Sequence, residues 1–85
     1  MRYTILIATR AKKQIETLPE KIREKIANAI EDLSSDAAMG KALKAQLKGL
    51  FSYRVGNYRI IYQVIRKKLV IHIISVRHRK DAYRA

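Results

Sequence analysis

The chain has 85 residues and no cysteine, which bounds it to one small domain held by packing alone, with neither a disulfide framework nor a thiolate metal site. Its net charge of +12 is unevenly spread: residues 1–40 hold seven Lys or Arg against six Asp or Glu, a net of +1, whereas residues 41–85 hold twelve against one, a net of +11. A chain with one balanced and one intensely basic half suits a polyanion, with nucleic acid ahead of a membrane surface because the basic half is strand-like, and with an acidic protein partner compatible with either.

Residues 2–8 alternate, Tyr3, Ile5 and Ile7 on one face and Thr4, Leu6 and Ala8 on the other, which predicts an opening strand. Thr9 is placed to cap a short first helix carrying Ala11, Ile15 and Leu18 at helical spacing. Thr17 and Glu20 have capping-box spacing around Pro19, so a second helix is predicted from there, burying Ile22, Ile26, Ile30 and Leu33 with Ala29 beside them. Lys21, Glu24, Lys25, Asn28 and Asp32 make its outer face an ordinary solvated one. Residues 34–40 end the helix, and residues 41–50 lack a clear period: Leu43, Leu47 and Leu50 fit a helical turn or an irregular approach to the sheet, and the segment is left unassigned with loop favoured.

From Phe51 the pattern sharpens. Phe51 to Val55 and Tyr58 to Ile65 alternate on either side of Gly56-Asn57, a tight-hairpin signal in which Gly supplies the positive φ of a primed turn. A two-residue loop sets Val55 opposite Tyr58 and Arg54 opposite Arg59, which places two like charges directly across a strand pair. Either both side chains splay into water or the pair is kept for function, since local rules are most often broken at functional sites. The middle of the second strand is apolar on both faces, as in a central strand covered on two sides. After the basic turn Arg66-Lys67-Lys68, residues 69–76 form a last strand. Antiparallel neighbours reverse at each hairpin, so this strand is expected to end beside the Gly56-Asn57 turn and to bring Arg77, His78, Arg79 and Lys80 to Arg54 and Arg59, with Tyr83 close by. The apolar run at residues 69–76, which contains His72 and Ser75, is too short to span a bilayer, and the first residues lack a signal-peptide pattern; a cytoplasmic protein with no membrane partner is expected. The fold class expected is α+β: two N-terminal helices, a helical hairpin, packed on a small, mostly antiparallel sheet of about four strands, in the order β-α-α-β-β-β with a short C-terminal tail, as a single domain over residues 1–85.

Asp81 is the only acid after Asp36, so paired-carboxylate chemistry and carboxylate metal sites are poorly supplied. His72 and His78 lack further ligands, and His72 reads as a packed strand residue; no cofactor or metal is expected. A guanidinium cluster instead suits phosphate and the charge that builds on phosphoryl oxygens in a pentacovalent transition state. RNA carries its own nucleophile, the 2′-OH, so a nuclease of this kind needs a base, an acid for the leaving 5′ oxygen and cations. Positive charge near Tyr83 favours its phenolate, which suits it to act as base; it also suits stacking on a nucleobase or packing on the sheet.

The motifs LPEKIREKI, LKGLFSYRVGNYRIIYQV and VRHRKDAYR resemble those of the RelE/ParE superfamily of toxins from toxin–antitoxin systems, across nearly the whole chain. The resemblance implies a cognate acidic, RelB-like antitoxin, partly disordered until bound and received on apolar surface of the helices and sheet. A RelE-like member implies a ribosome-dependent mRNA endoribonuclease that cuts the A-site codon, with the ribosome and its mRNA as partners; a ParE-like member implies inhibition of DNA gyrase. Carried over by motif, Arg54 matches a basic residue before the turn, Arg59 a phosphate-contacting arginine, Arg79 a leaving-group acid or transition-state stabiliser, and Tyr83 the C-terminal tyrosine. Lys48, Arg77, His78, Lys80 and Arg84 complete the nucleic-acid-binding set, with His78 placed to share acid–base duty. Ser52 departs from the pattern, since RelE-like toxins often carry Lys or Arg there; this either shifts work to Lys48 or Arg54 or leaves a toxin relative that binds the ribosome or RNA without cutting it.

Overall fold

A computed structural model describes residues 2–43 and 49–78. In chain order the elements are β1 (Thr4–Ile7), α1 (Thr9–Glu16), α2 (Glu20–Ser35), a 3-10 turn (Ala37–Met39), β2 (Lys41–Ala42), β3 (Leu50–Val55), β4 (Tyr58–Ile65), a second 3-10 turn (Arg66–Lys68) and β5 (Val70–His78). The strands form one sheet in the order β1-β5-β4-β3-β2, with β1 parallel to β5 and the other pairs antiparallel. The α+β class and the helical hairpin match the expectation, but the sheet has five strands, not four. The extra strand is β2, whose two residues pair with Phe51 and Ser52 while the Leu43 N–H donates to the Leu50 carbonyl at 2.9 Å. Two residues hold no period, so nothing in the sequence of residues 41–50 separates this edge from loop.

Both helices pack on one face of the sheet. Ala11, Ile26, Ala29 and Leu33 from the helices and Ala37 after them meet Ile60, Tyr62, Ile71, Ile73 and Val76 in a single buried cluster. The α2 stripe is as predicted: Ile26, Ala29 and Leu33 are buried, and Ile22 and Ile30 pack half-buried beside them. Among the described residues no helix covers the far face of β4, yet Ile61 on that face is buried at 5% exposure.

The helix starts differ from expectation. Ala8, not Thr9, precedes the first turn of α1, because the Ala8 N–H is still bonded to the Ile73 carbonyl at 2.9 Å and the helix springs directly from the sheet. The Thr17 hydroxyl donates to the Gln14 carbonyl at 2.8 Å, closing α1 instead of forming a capping box with Glu20. Pro19 precedes α2 with φ −56, a conformation it holds without cost. Past Ile7 no strand among the described residues follows β5 on its outer side, and the Gln14 side chain takes that place by accepting from the Val76 N–H at 2.8 Å. The last strand begins at Val70 and not at residue 69, because Leu69 adopts φ 53 to close the second 3-10 turn.

A bulge in β5 decides what faces the core. Ile61 opposes Ser75 but Tyr62 opposes Ile73, so Ile74 is an extra residue. Alternation from Ile71 and Ile73 would otherwise send Arg77 inward with them. The bulge inverts the parity, burying Val76 (3% exposed) against the helices and turning Arg77 to the opposite face.

Candidate nucleic-acid interface

The hairpin sets the site. Gly56 has φ 58 and is the only positive φ in its two-residue turn, as in a type II′ turn. The register is the one read from the sequence: Val55 opposes Tyr58 and Arg54 opposes Arg59. The next strand extends the row, because Arg59 also opposes Arg77. Three arginines therefore stand side by side on β3, β4 and β5, on the face away from the helices. Directly opposite residues lie only about 4.5–5.5 Å apart at the backbone and share a face, so such a row is unfavourable without an anion. One step along the strands, Lys41, Ser52, Ile61 and Ser75 form a second row in register.

Each arginine is held differently. Arg54 is exposed and curls over the turn, its Nε donating to the Gly56 carbonyl at 3.1 Å. Arg59 is half-buried, and its Nη1 donates to the Ser52 hydroxyl at 3.4 Å. Arg77 is half-buried beside it. A cleft of about 260 Å³ opens here, lined by Met39, Lys41, Ser52, Tyr53, Arg54 and Arg59, with three cations and no carboxylate among the described residues of its wall. Ser52 itself is buried at 3% exposure and serves Arg59 as an acceptor.

Tyr62 fixes one wall of the cleft from beneath. Its hydroxyl donates to the Ala37 carbonyl at 2.9 Å and accepts from the Gly40 N–H at 3.0 Å, and its ring stacks on Phe51 with centroids 5.5 Å apart. Burial, with smaller contributions from Asp36 and Tyr53, pushes its pKa above the ordinary 10.0, against an opposing hydrogen bond from Gly40. A Cβ on Gly40 would lie 2.4 Å from the Tyr62 hydroxyl, so only glycine allows this approach.

Of the sequence-selected residues, the structure brings together Arg54, Arg59 and Arg77. His78 lies on the other face, where it opposes Tyr58 and meets its ring edge-on at 5.4 Å. Its surroundings there include Gln14, Thr17, Leu18 and Val76, in a cleft beneath the end of α1. His72 is half-buried, set between Leu6 and Gln63. Lys48, Arg79, Lys80, Tyr83 and Arg84 lie outside the described residues. Lys41 and Met39 are cleft residues that the sequence did not single out, because β2 carries no periodic signal. Among the described residues no three His, Asp or Glu side chains gather as metal ligands, and no helix is long and apolar enough to cross a membrane.

A row of guanidinium groups on a sheet, beside a cleft lined also by Lys41, can hold a chain of phosphates and concentrate positive charge on one of them. Comparisons with known proteins identify relatives of the chain. Residues 5–83 match the model of the ParE toxin of the type II toxin–antitoxin system parDE. The chain is 36% identical over 86 residues to Toxin RelG of Mycobacterium tuberculosis, spanning 99% of each. Its fold superposes with a TM-score of 0.86 on a chain of the RelBE2 toxin–antitoxin complex from Mycobacterium tuberculosis, at 32% identity and covering 92% of this chain and 99% of that one. A chain of the archaeal RelE–RelB complex from Pyrococcus horikoshii superposes at 0.77, at 26% identity and full coverage of both chains.

Proposed function

The chain belongs to the ParE-type toxin family of type II toxin–antitoxin systems, and on that premise we propose that it is a ribosome-dependent mRNA endoribonuclease that inhibits translation. The observation that carries this proposal is the Arg54–Arg59–Arg77 row beside the cleft lined by Lys41, Arg54 and Arg59, a surface suited to an RNA backbone. In the reaction the 2′ oxygen attacks phosphorus and gives its proton to a base, and the bond from phosphorus to the 5′ oxygen breaks as that oxygen takes up a proton. The products are a 2′,3′-cyclic phosphate and a free 5′-OH. Arg54 and Arg59 hold the phosphate and stabilise its oxygens as charge accumulates, while Arg77 holds the neighbouring backbone. Arg79 is proposed as leaving-group acid or additional cation, and Tyr83 as base or stacking group. The toxin acts in the cytoplasm, where its messages are translated, and is held inactive by a cognate RelB-like antitoxin, which the net charge of +12 requires to be acidic.

A second reading, inhibition of DNA gyrase, is favoured by the ParE description of the matching family model. Translation of a defined message with purified ribosomes separates the two. Cuts at A-site codons that fall about 100-fold or more with Arg59→Ala support the nuclease, since loss of one oxyanion-stabilising donor typically costs that much. An intact message together with gyrase-linked DNA breaks would overturn it. The Arg59→Ala protein should remain folded within a few tenths of a kcal/mol, because the repulsion it relieves offsets its long bond to Ser52.

A further inference from the structure

We propose that Lys41, on the two-residue edge strand β2, is a further catalytic cation of the arginine cleft, binding a non-bridging oxygen of the scissile phosphate. This role rests on the nuclease activity proposed above and adds to it a residue that no sequence motif marks. Three observations carry it. First, Lys41 is the direct cross-strand partner of Ser52, so its side chain leaves the sheet on the same face and within one strand spacing of the serine that accepts from Arg59. Second, Lys41, Arg54 and Arg59 line one cleft, and among the described residues of its wall there is no carboxylate to neutralise the ammonium. Third, the backbone just before Lys41 is clamped, the Gly40 N–H bonded to the buried Tyr62 hydroxyl at an approach that only glycine permits. An exposed lysine on an edge strand is ordinary. An exposed lysine set down opposite the Arg59 anchor by a buried tyrosine is placed.

The chemistry asks for such a group. Arg54 spends its Nε on the turn carbonyl and Arg59 spends an Nη on Ser52, so neither presents its whole fork to a ligand. Ser52, between Lys41 and the arginines, is buried and uncharged. An ammonium delivered from the neighbouring strand restores positive charge at that point. Lys41 keeps all three of its protons throughout: it donates hydrogen bonds to phosphoryl oxygen, while the 2′ proton and the proton for the 5′ oxygen pass through other groups.

The test is cleavage of a defined message by ribosomes with wild-type toxin and with Lys41→Ala, Lys41→Arg and Lys12→Ala, the last removing an exposed lysine of α1 remote from the cleft. The expected result is a loss of about 10- to 100-fold in the cleavage rate for Lys41→Ala, substantial recovery for Lys41→Arg, and no change for Lys12→Ala. Lys41 is exposed, so unaltered thermal unfolding is expected in every variant. Wild-type cleavage that Lys41→Ala leaves unchanged, or that Lys12→Ala reduces equally, overturns the role of Lys41 and leaves the nuclease standing. A wild-type toxin that cuts no message overturns both.

Discussion

At the scale of the single residue, Tyr62 ties the site to the core. Its hydroxyl satisfies the Gly40 N–H and the Ala37 carbonyl, and through them it holds the segment that delivers Lys41. Burial raises its pKa above 10.0, so the folded state binds the phenol proton more tightly than the unfolded chain does. The stability this contributes is fully present below about pH 10 and is lost as pH rises through the folded value. Tyr62→Phe should cost about 1–3 kcal/mol at neutral pH by leaving two backbone groups without their partner. It should also flatten the alkaline decline, read as a urea midpoint that falls less above about pH 10 than in the wild type. Equal alkaline slopes in the two proteins would show that Tyr62 is not the group responsible.

At the scale of the element, the bulge in β5 sorts charge from core. Ile71, Ile73 and Val76 all face the helices only because Ile74 is an extra residue between them, and the same residue turns Arg77 toward Arg59. Inserting one alanine between Ser75 and Val76 inverts the parity again, pointing Arg77 at the helices and Val76 away from them. An arginine buried without a partner costs several kcal/mol, a large share of the roughly 5–15 kcal/mol that holds a domain together. The insertion variant should therefore lose its cooperative thermal transition. A variant that unfolds at the wild-type temperature would mean that the register of β5 is set elsewhere. Much of this element scale was legible beforehand: the α2 stripe and the hairpin register follow from helical spacing, period-two alternation and the Gly56-Asn57 turn, all local in sequence. The bulge was not legible, since Ile73-Ile74-Ser75-Val76 reads equally well in two registers.

At the scale of the whole molecule, charge and shape divide the labour. The net charge of +12 falls almost wholly on residues 41–85, and the fold lays part of it in two adjacent rows on the face that the helices leave open. Three or four phosphate contacts from Lys41, Arg54, Arg59 and Arg77 correspond to a slope of about −2 to −3 in log K against log salt for single-stranded RNA. A salt titration with a 2′-deoxy-substituted oligonucleotide, which cannot be cut at the substituted site, should return that slope, and each single replacement among the four should reduce it by about 0.7. A slope near zero would place RNA binding off this face.

By itself the sequence determined the helices, the hairpin, the opposition of Arg54 and Arg59, and the basic half that suits a polyanion. Each of these is written in periods, turn residues or charges within a few neighbours of one another. The arrival of Arg77 at Arg59 was expected from the strand reversal, but only the tertiary structure decided that His78 turns away to Tyr58 and that Lys41 reaches the cleft. Those outcomes depend on which distant strand lies alongside and on one extra residue in it. A two-residue edge strand, fixed by a tyrosine 22 positions away from the glycine it binds, leaves no local pattern to read.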